Sequence, residues 1–387
     1  MSASILVHVS GQDQPGILSE LMQILKRNQI KIKDIGLVVT HGNLSLSFLL
    51  DEGNEDTIRE LSSLTKKMGM SMSTRVNQTH QLINFKEKYI LNCVGLDLIS
   101  AGFLEEVSTL FSDYGINIHR IEGLPESNFK AMDIAATSTE EIDLEKIKVS
   151  LMEISARHKI DLAFMKDNAF RYNKRLIVFD MDSTLIQAEV IDEMAAVHGI
   201  GDKVRKITER AMNGELNFDE ALRERVALLK GLERKKMEEI FDRLPLTPGV
   251  EKFIKTIKAL GFKTAIVSGG FRYFAENLKN KLGMDYAFAN DLEFEGDVLS
   301  GKVKGQIINA HQKAFILELL AQQEQIHLEQ VVAVGDGAND LPMLAKAGLG
   351  IAFHAKDKVK KEARHQMSHG PMTTILYFLG IPGNHLE

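Results

Sequence analysis

Asp180 and Asp182 stand one residue apart where the apolar run "LIVFD" gives way to "MDSTLIQAE". Carboxylates at that spacing repel each other, and the end of a buried strand is a costly place for them. Other reactive types recur at the ends of later apolar runs. Ser268 follows "KTAIV", Asp336 and Asp340 belong to "VVAVGDGAND", and Lys313 opens a helical stretch. Brought together, the aspartates form a strongly negative pocket, and a hard divalent cation offsets that repulsion. Mg²⁺ suits such a site, because it takes a few carboxylate oxygens together with waters and substrate phosphate. Lys313 and the N–H groups of "SGG" add positive potential for a phosphate. One aspartate, ionised at neutral pH, can attack phosphorus and form an aspartyl-phosphate. The other, its pKa raised by the adjacent like charge, can serve as acid to the leaving alkoxide and then as base to water. Singly, each residue has an ordinary reading: a turn serine, a solvated lysine, a capping aspartate.

The elements that must position these residues follow from pattern. From residue 175 onward, short Val/Ile/Ala/Phe runs ("RLIVFD", "KTAIVSGG", "YAFAN", "QVVAVGDG", "GLGIAF") alternate with longer helical stretches. Near-continuous apolar strands predict a parallel sheet buried on both faces, hence a doubly wound α/β domain over 175–387 with its site at the carboxyl ends of the strands. Residues 187–245 read as a polar, helical insertion after the first strand, placed to cover the site as a cap. A substrate bearing an ammonium and a carboxylate would want an acid and an arginine there. Glu189 and Arg225 qualify, and so do Glu193, Arg205, Arg210 and Arg223, so the physics leaves the choice open.

The amino-terminal half contains a repeat. "ILVHVSGQDQPGILSELMQIL" and "YILNCVGLDLISAGFLEEVSTLF" each read as a strand, Gly-x-Asp and an amphipathic helix, and each continues strand, strand, helix, strand. The result is an α+β βαββαβ unit twice, over 1–84 and 85–166, joined to the α/β domain by a polar linker at 167–174. With "GQDQPG" after its first strand, the unit resembles the ACT domain, a small-molecule sensor that usually binds amino acids and tends to pair. The resemblance implies an amino-acid effector and a homodimer, with Asp13, Gly16 and Gly102 as candidate effector-site loop residues. Read without it, Gly-x-Asp is a turn and an N-cap.

"DMDSTLI", "SGG", Lys313 and "GDGANDLPM" match, in order, the four motifs of the haloacid dehalogenase superfamily of phosphatases, which the second half resembles throughout. The resemblance implies Asp180 as nucleophile and metal ligand, and Asp182 as general acid/base with its backbone carbonyl toward the metal. Ser268 and Gly269 become phosphate ligands, and Lys313 neutralises the phosphoryl group. Asp336 becomes the third protein ligand to Mg²⁺, Asp340 a carboxylate that orients metal waters, and Asn339 a residue near substrate and metal. Within the superfamily, "DMDSTLIQAEVIDEMA", "ITERAMNGELNFDEALRERVALLKGL", "VSGGF" and "GDGANDLPML" resemble the phosphoserine phosphatase family. On that pattern O-phosphoserine is the substrate, in the last step of serine biosynthesis. Glu189 meets its ammonium, Arg225 its carboxylate, Met212 and Phe218 line the pocket, and Gly270 lies beside the phosphate loop. Met212 and Phe218 read equally as packing within the cap.

Composition sets outer limits. The net charge is -6 with both signs well mixed, so no basic face points to nucleic acid. The lone cysteine, Cys93 in "YILNCVG", reads as a small buried side chain in a reducing compartment. The opening residues lack a signal-peptide pattern, and no apolar run approaches the roughly 18 residues of a membrane span, so a cytoplasmic location is expected. Two alternatives remain: a phosphotransferase that delivers the phosphoryl group to another alcohol, and an amino-acid sensor with an inactive phosphatase body.

Overall fold

A computed structural model describes residues 4–51, 54–77, 87–123 and 130–381. The chain divides into two compact units, Met1–Asn84 and Phe85–Glu387.

In the first unit β1 (Ser4–Gln12), α1 (Ile17–Arg27), β2 (Ile32–Thr40), β3 (Asn43–Leu50), α2 (Glu55–Lys67) and β4 (Ser71–Asn77) form an antiparallel sheet in the order β2-β3-β1-β4. Sequence alternation decides its faces: Leu44, Leu46, Phe48 and Leu50 of β3 are buried while Asn43 and Ser45 are exposed. Buried Leu21 and Leu25 of α1 and Leu61 of α2 complete that core. The opposite face stays open, and β2 is exposed along its whole length.

The second module repeats the plan with β5 (Glu87–Gly95), α3 (Ala101–Asp113), β6 (Ile116–Gly123), β7 (Ala131–Ser138), α4 (Leu144–His158) and β8 (Ile160–Lys166), in the order β6-β7-β5-β8. Here β5, β7 and most of β8 are covered on both faces, while β6 stays mostly exposed. Tyr89, Leu91 and Cys93 enter the module's own core, and Val94, Ala131 and Ala163 enter the core of the α/β body. Hydrogen bonds fix the contact, because Asp161 accepts from Ser368 N at 2.7 Å and His369 N at 3.1 Å. The stretch expected as a polar linker is therefore no free tether. Arg171, 4% exposed, pairs with buried Asp133, and Lys174 donates to the Glu329 carbonyl. Cys93 is buried, as expected, and burial pushes its thiol well up.

The body opens with β9 (Leu176–Phe179). A helical insertion follows: α5 (Val190–Val197), α6 (Gly201–Met212), α7 (Phe218–Leu228) and α8 (Arg234–Arg243). Then come α9 (Val250–Ala259), β10 (Lys263–Phe271), α10 (Arg272–Leu282), β11 (Tyr286–Glu295), β12 (Val298–Lys304), α11 (Ala310–Gln323), β13 (Val331–Gly335), α12 (Leu341–Lys346), β14 (Leu349–Phe353), α13 (Asp357–Glu362) and β15 (His365–Met367). The sheet order is β12-β11-β10-β9-β13-β14-β15, parallel except for β12. Two of these strands exceed the five expected. β12 returns from β11 through Gly296 (φ 63°) and Asp297, a two-residue hairpin, and β15 is too short to show a period.

The insertion is fastened twice. At its base Gln187 N donates to Pro245 O at 2.9 Å, and Ile186 bridges Leu246. Farther along, Gly231 N donates to Leu299 O, Leu299 N to Leu232 O, and Arg234 N to Asp297 O, so the α7–α8 turn is stitched to β12.

Candidate active site

The carboxyl ends of three adjacent strands build the site. Asp180 directly follows β9 and is held there by its N–H to Val334 O at 2.9 Å. Asp336 follows β13, and Ser268 lies near the end of β10. Lys313, on the first turn of α11, is fully buried; its ammonium lies 2.8 Å from Asp180 Oδ2 and 2.7 Å from Asp340 Oδ1. Burial alone would lower this lysine, but the two carboxylates outweigh it and raise its pKa. Asp340's other oxygen accepts from Gly337 N at 2.9 Å, so both of its oxygens are engaged. Asp336 Oδ1 accepts from Thr184 Oγ1 at 2.9 Å. Oxygens of Asp180, Asp336 and Asp340 lie within 4.8 Å of one another. Burial, then Asp180 and Asp340, push Asp336 up to about 7; burial, then Asp180, push Asp340 up to about 7. Crowded carboxyls of this kind are what a hard divalent cation would relieve, so the donor set fits Mg²⁺.

Asp182 faces the same pocket, with Oδ1 accepting from Val190 N at 3.1 Å. Burial, Glu189 and Asp180 push it well above the usual carboxylate range, as an acid catalyst requires. Gly270 donates its N–H to Ser268 Oγ at 2.9 Å, and a Cβ there would stand 2.6 Å from Asp182 Oδ2. Gly335 is similarly constrained: its Cβ would lie 2.5 Å from Asp340 Cγ. Since α10 starts directly after β10, unpaired N–H groups of its first turn sit at the strand end, a natural anion site.

The insertion supplies the other wall of a 110 Å³ pocket through Ile191, Phe218, Leu222 and Arg225, beside Glu189 and Asn339. Glu189 is an exposed residue whose carboxyl accepts from Ser183 Oγ at 2.8 Å; burial of that carboxyl raises its pKa against this bond. Arg225 is half-buried, and burial lowers its pKa against Asp192, Glu189 and Asp182. Among the described residues its guanidinium bonds only the Ala221 carbonyl, at 3.2 Å, which leaves donors for a ligand. Met212 is 72% exposed at the end of α6 and does not line the pocket.

A family model described as haloacid dehalogenase-like hydrolase matches residues 174–348, and one for the ACT domain matches 3–75. Phosphoserine phosphatase SerB2 of Mycobacterium tuberculosis is 35% identical over 99% of this chain and 95% of its own. The chain belongs to the phosphoserine phosphatase family. It is a phosphoric monoester hydrolase of the haloacid dehalogenase superfamily with ACT-like βαββαβ units ahead of the hydrolase domain. Among solved structures, a haloacid dehalogenase family hydrolase from Salmonella enterica serovar Typhi aligns at 32% identity and TM-score 0.66, over 75% of this chain and 98% of that one. A phospho-aspartyl intermediate analogue of phosphoserine phosphatase aligns at 47% identity and TM-score 0.50, over 53% and 99%.

Several residues that shape this candidate site have weaker signals in the sequence. Buried Asn290 donates to Gly269 O at 2.8 Å and accepts from Ile308 N at 2.7 Å, tying the Ser-Gly-Gly turn to the segment before α11. Its signal was an amide inside "YAFAN". Thr184 and Ser183 orient Asp336 and Glu189 from the loop after Asp182. The candidate effector residues divide. Asp13 is exposed with its N–H on Gly42 O, and Gly16 is the N-cap of α1 at φ 101°. Gly102 is not a loop residue but lies in α3, because the Ser100 side chain accepts from Phe103 N and starts that helix one residue earlier. Neither Gly-x-Asp aspartate is an N-cap; Gly16 and Ser100 hold those positions.

Proposed function

We propose that the protein hydrolyses O-phospho-L-serine to L-serine and phosphate through an aspartyl-phosphate on Asp180. The observation that carries this reading is one pocket with Asp180 and Asp182 on one side and Glu189 and Arg225 on the other. A nucleophile and acid for a phosphate ester thus stand opposite an anion and a cation for an amino acid's charged groups. The related structure described as a phospho-aspartyl intermediate analogue of phosphoserine phosphatase supports the covalent route.

Asp180, oriented by Lys313, attacks phosphorus while protonated Asp182 delivers its proton to the leaving serine oxygen. Asp182, now a carboxylate, accepts a proton from the water that cleaves the acyl phosphate. Lys313 carries positive charge toward the phosphoryl oxygens, and the Ser268–Gly270 turn with the first turn of α10 offers them N–H donors. Asp180, Asp336 and the Asp182 carbonyl would hold Mg²⁺, which when bound neutralises phosphate charge. Asp340, with both oxygens engaged, orients rather than ligates. Arg225 takes the substrate carboxylate and Glu189 the ammonium, so charge at both ends selects phosphoserine.

The ACT-like units suit control by an amino acid, serine being the product to sense, with Asp13 and Gly16 in the first unit and Gly102 in the second as contacts. Dimerisation through these units, a cytoplasmic location and a place as the last step of serine biosynthesis belong to the same reading. Among the described residues no helix is long and apolar enough to cross a membrane.

Phosphate release is the test, from L-phosphoserine against phosphothreonine, sugar and nucleotide esters, with Mg²⁺ and with or without L-serine. Strong preference for phosphoserine is expected. A flat profile would remove the roles of Glu189 and Arg225, and phosphate trapped on added homoserine would make the enzyme a transferase.

A further inference from the structure

A second cavity, of about 380 Å³, lies between the second βαββαβ module and the α/β body. One wall comes from α4 and β8. The other is the amino-terminal edge of the body's sheet: Lys174 stands two residues before β9, Glu329 two before β13, Gly348 directly before β14 and Arg364 directly before β15. The catalytic aspartates leave the opposite ends of β9 and β13. These strands of four and five residues put about 15 Å between the two sites.

The lining is cationic and half apolar. Six lysines and arginines line it against the carboxylates of Asp143 and Glu329. Some are already matched: Arg171 pairs with Asp133, and Lys166 with Glu87 and Glu141. Lys174 is different. It is 7% exposed, and among the described residues its ammonium bonds only a neutral backbone carbonyl, that of Glu329, at 2.6 Å; burial lowers it to about 8. Beside it His365 is 7% exposed and held neutral, its pKa lowered to about 3 by burial and then by Arg364, Lys174 and Lys148. His365 Nδ1 and Gln366 Oε1 are buried without a hydrogen-bond partner among the described residues. Leu151, Leu162, Phe164 and Met165 supply apolar surface. Six cations face two acids, so the lining stays net positive even with the Glu329 carboxylate acting on Lys174, and an anion in the cavity would meet that excess. The volume suits a small organic molecule.

We propose that this cavity binds an organic anion with an apolar body, its carboxylate, sulfonate or phosphate head on Lys174, Arg364 and His365 and its hydrocarbon on Leu151 and Phe164. Because residues of the module and of the body both line it, the ligand fastens the one to the other, at a distance from the catalytic pocket.

The test uses the full chain in chelator with 8-anilinonaphthalene-1-sulfonate, a sulfonate on an apolar body, followed by fluorescence titration. Arg364→Gln and Lys174→Met are each expected to weaken the probe about tenfold, the order of one charge-assisted hydrogen bond. Arg59→Gln, an exposed control in the first unit, leaves it unchanged. Hexanoate displaces the probe and hexylammonium does not. Affinities in both cavity variants equal to wild type would place the probe on another apolar surface and overturn the proposal; equal displacement by hexylammonium would overturn its charge selectivity. Arg364 is exposed, so its variant decides the matter even if Lys174→Met does not fold. Unchanged phosphoserine turnover serves as the folding check.

Discussion

At the carboxyl ends of β9 and β13 the body gathers Asp180, Asp182, Asp336 and Asp340 around one lysine. At the amino edge of the same sheet it gathers Lys174, before β9, and Arg364, before β15, with Arg171 nearby. The two ends treat charge differently. At the carboxyl ends like charges are crowded until Asp336 and Asp340 reach about 7, an arrangement that stability alone would not keep. At the amino ends Arg171 is spent on Asp133, and Lys166 on Glu87 and Glu141. Unrelieved charge marks the reactive end; paired charge marks the fastened one, where Lys174 is the exception.

The largest expected effect is at the reactive end. Asp180→Asn should lower phosphoserine turnover by about 10⁴-fold or more, since an amide does not attack phosphorus, while circular dichroism shows the fold retained. Wild-type-like phosphate release would remove Asp180 from the chemistry. Next comes the fastened end. Arg171→Ala leaves Asp133 buried without its cation and should cost about 3–5 kcal/mol in denaturant unfolding of the second unit. A change below about 1 kcal/mol would mean water reaches Asp133 and the pair is not sealed.

Arg225→Ala is smaller. It should reduce kcat/KM for phosphoserine by about 10²-fold, the order of one charge-assisted pair, and that for an aryl phosphate by far less. Equal losses on both substrates would make Arg225 a packing residue. The smallest effect is in pH. Asp336 and Asp340 stand near 7 in the folded protein against 3.8 ordinarily, so the folded state binds more protons between those values. The stability this contributes is full below pH 3.8 and lost as pH rises through about 7. In chelator the unfolding midpoint should therefore fall by a few degrees between pH 5 and 8, and Mg²⁺ should restore more at pH 8 than at pH 6. A midpoint flat with pH would mean the carboxyls are not crowded.

The reactive end was readable because its chemistry needs particular residue types at strand ends, and strand ends show as apolar runs that stop. Asp180 and Asp336 show as carboxylates where apolar runs stop, whereas Lys313 alone reads as a solvated helix charge and takes its role from the order of the motifs. Residues that work through geometry were harder. Asn290 acts by reaching two backbone groups 21 and 18 positions away, and its only trace is polarity within a strand. Arg171 looked like part of a solvated linker because its partner, Asp133, lies 38 positions earlier. The trace was again an acid among apolar neighbours, in "AMDIAAT". The second module's covered sheet had a fuller signature: β5 and β7 lack the clean alternation of β3, as strands buried on both faces must. Met212 was placed by resemblance, and nothing in α6 itself turns it toward the pocket.

The stitch between the α7–α8 turn and β12 has a mechanical consequence. A lid attached only at its base could tip in any direction. With Ile186–Leu246 holding the base and Gly231–Arg234 sewn to the hairpin, four helices moving as one body keep a single rotation, about the line joining those two points. Whatever swing admits substrate is then steered by β12, a strand that carries no catalytic group. α6 and the turn bearing Met212 belong to neither attachment and travel with that body, tied to α7 by the Arg210–Glu224 pair.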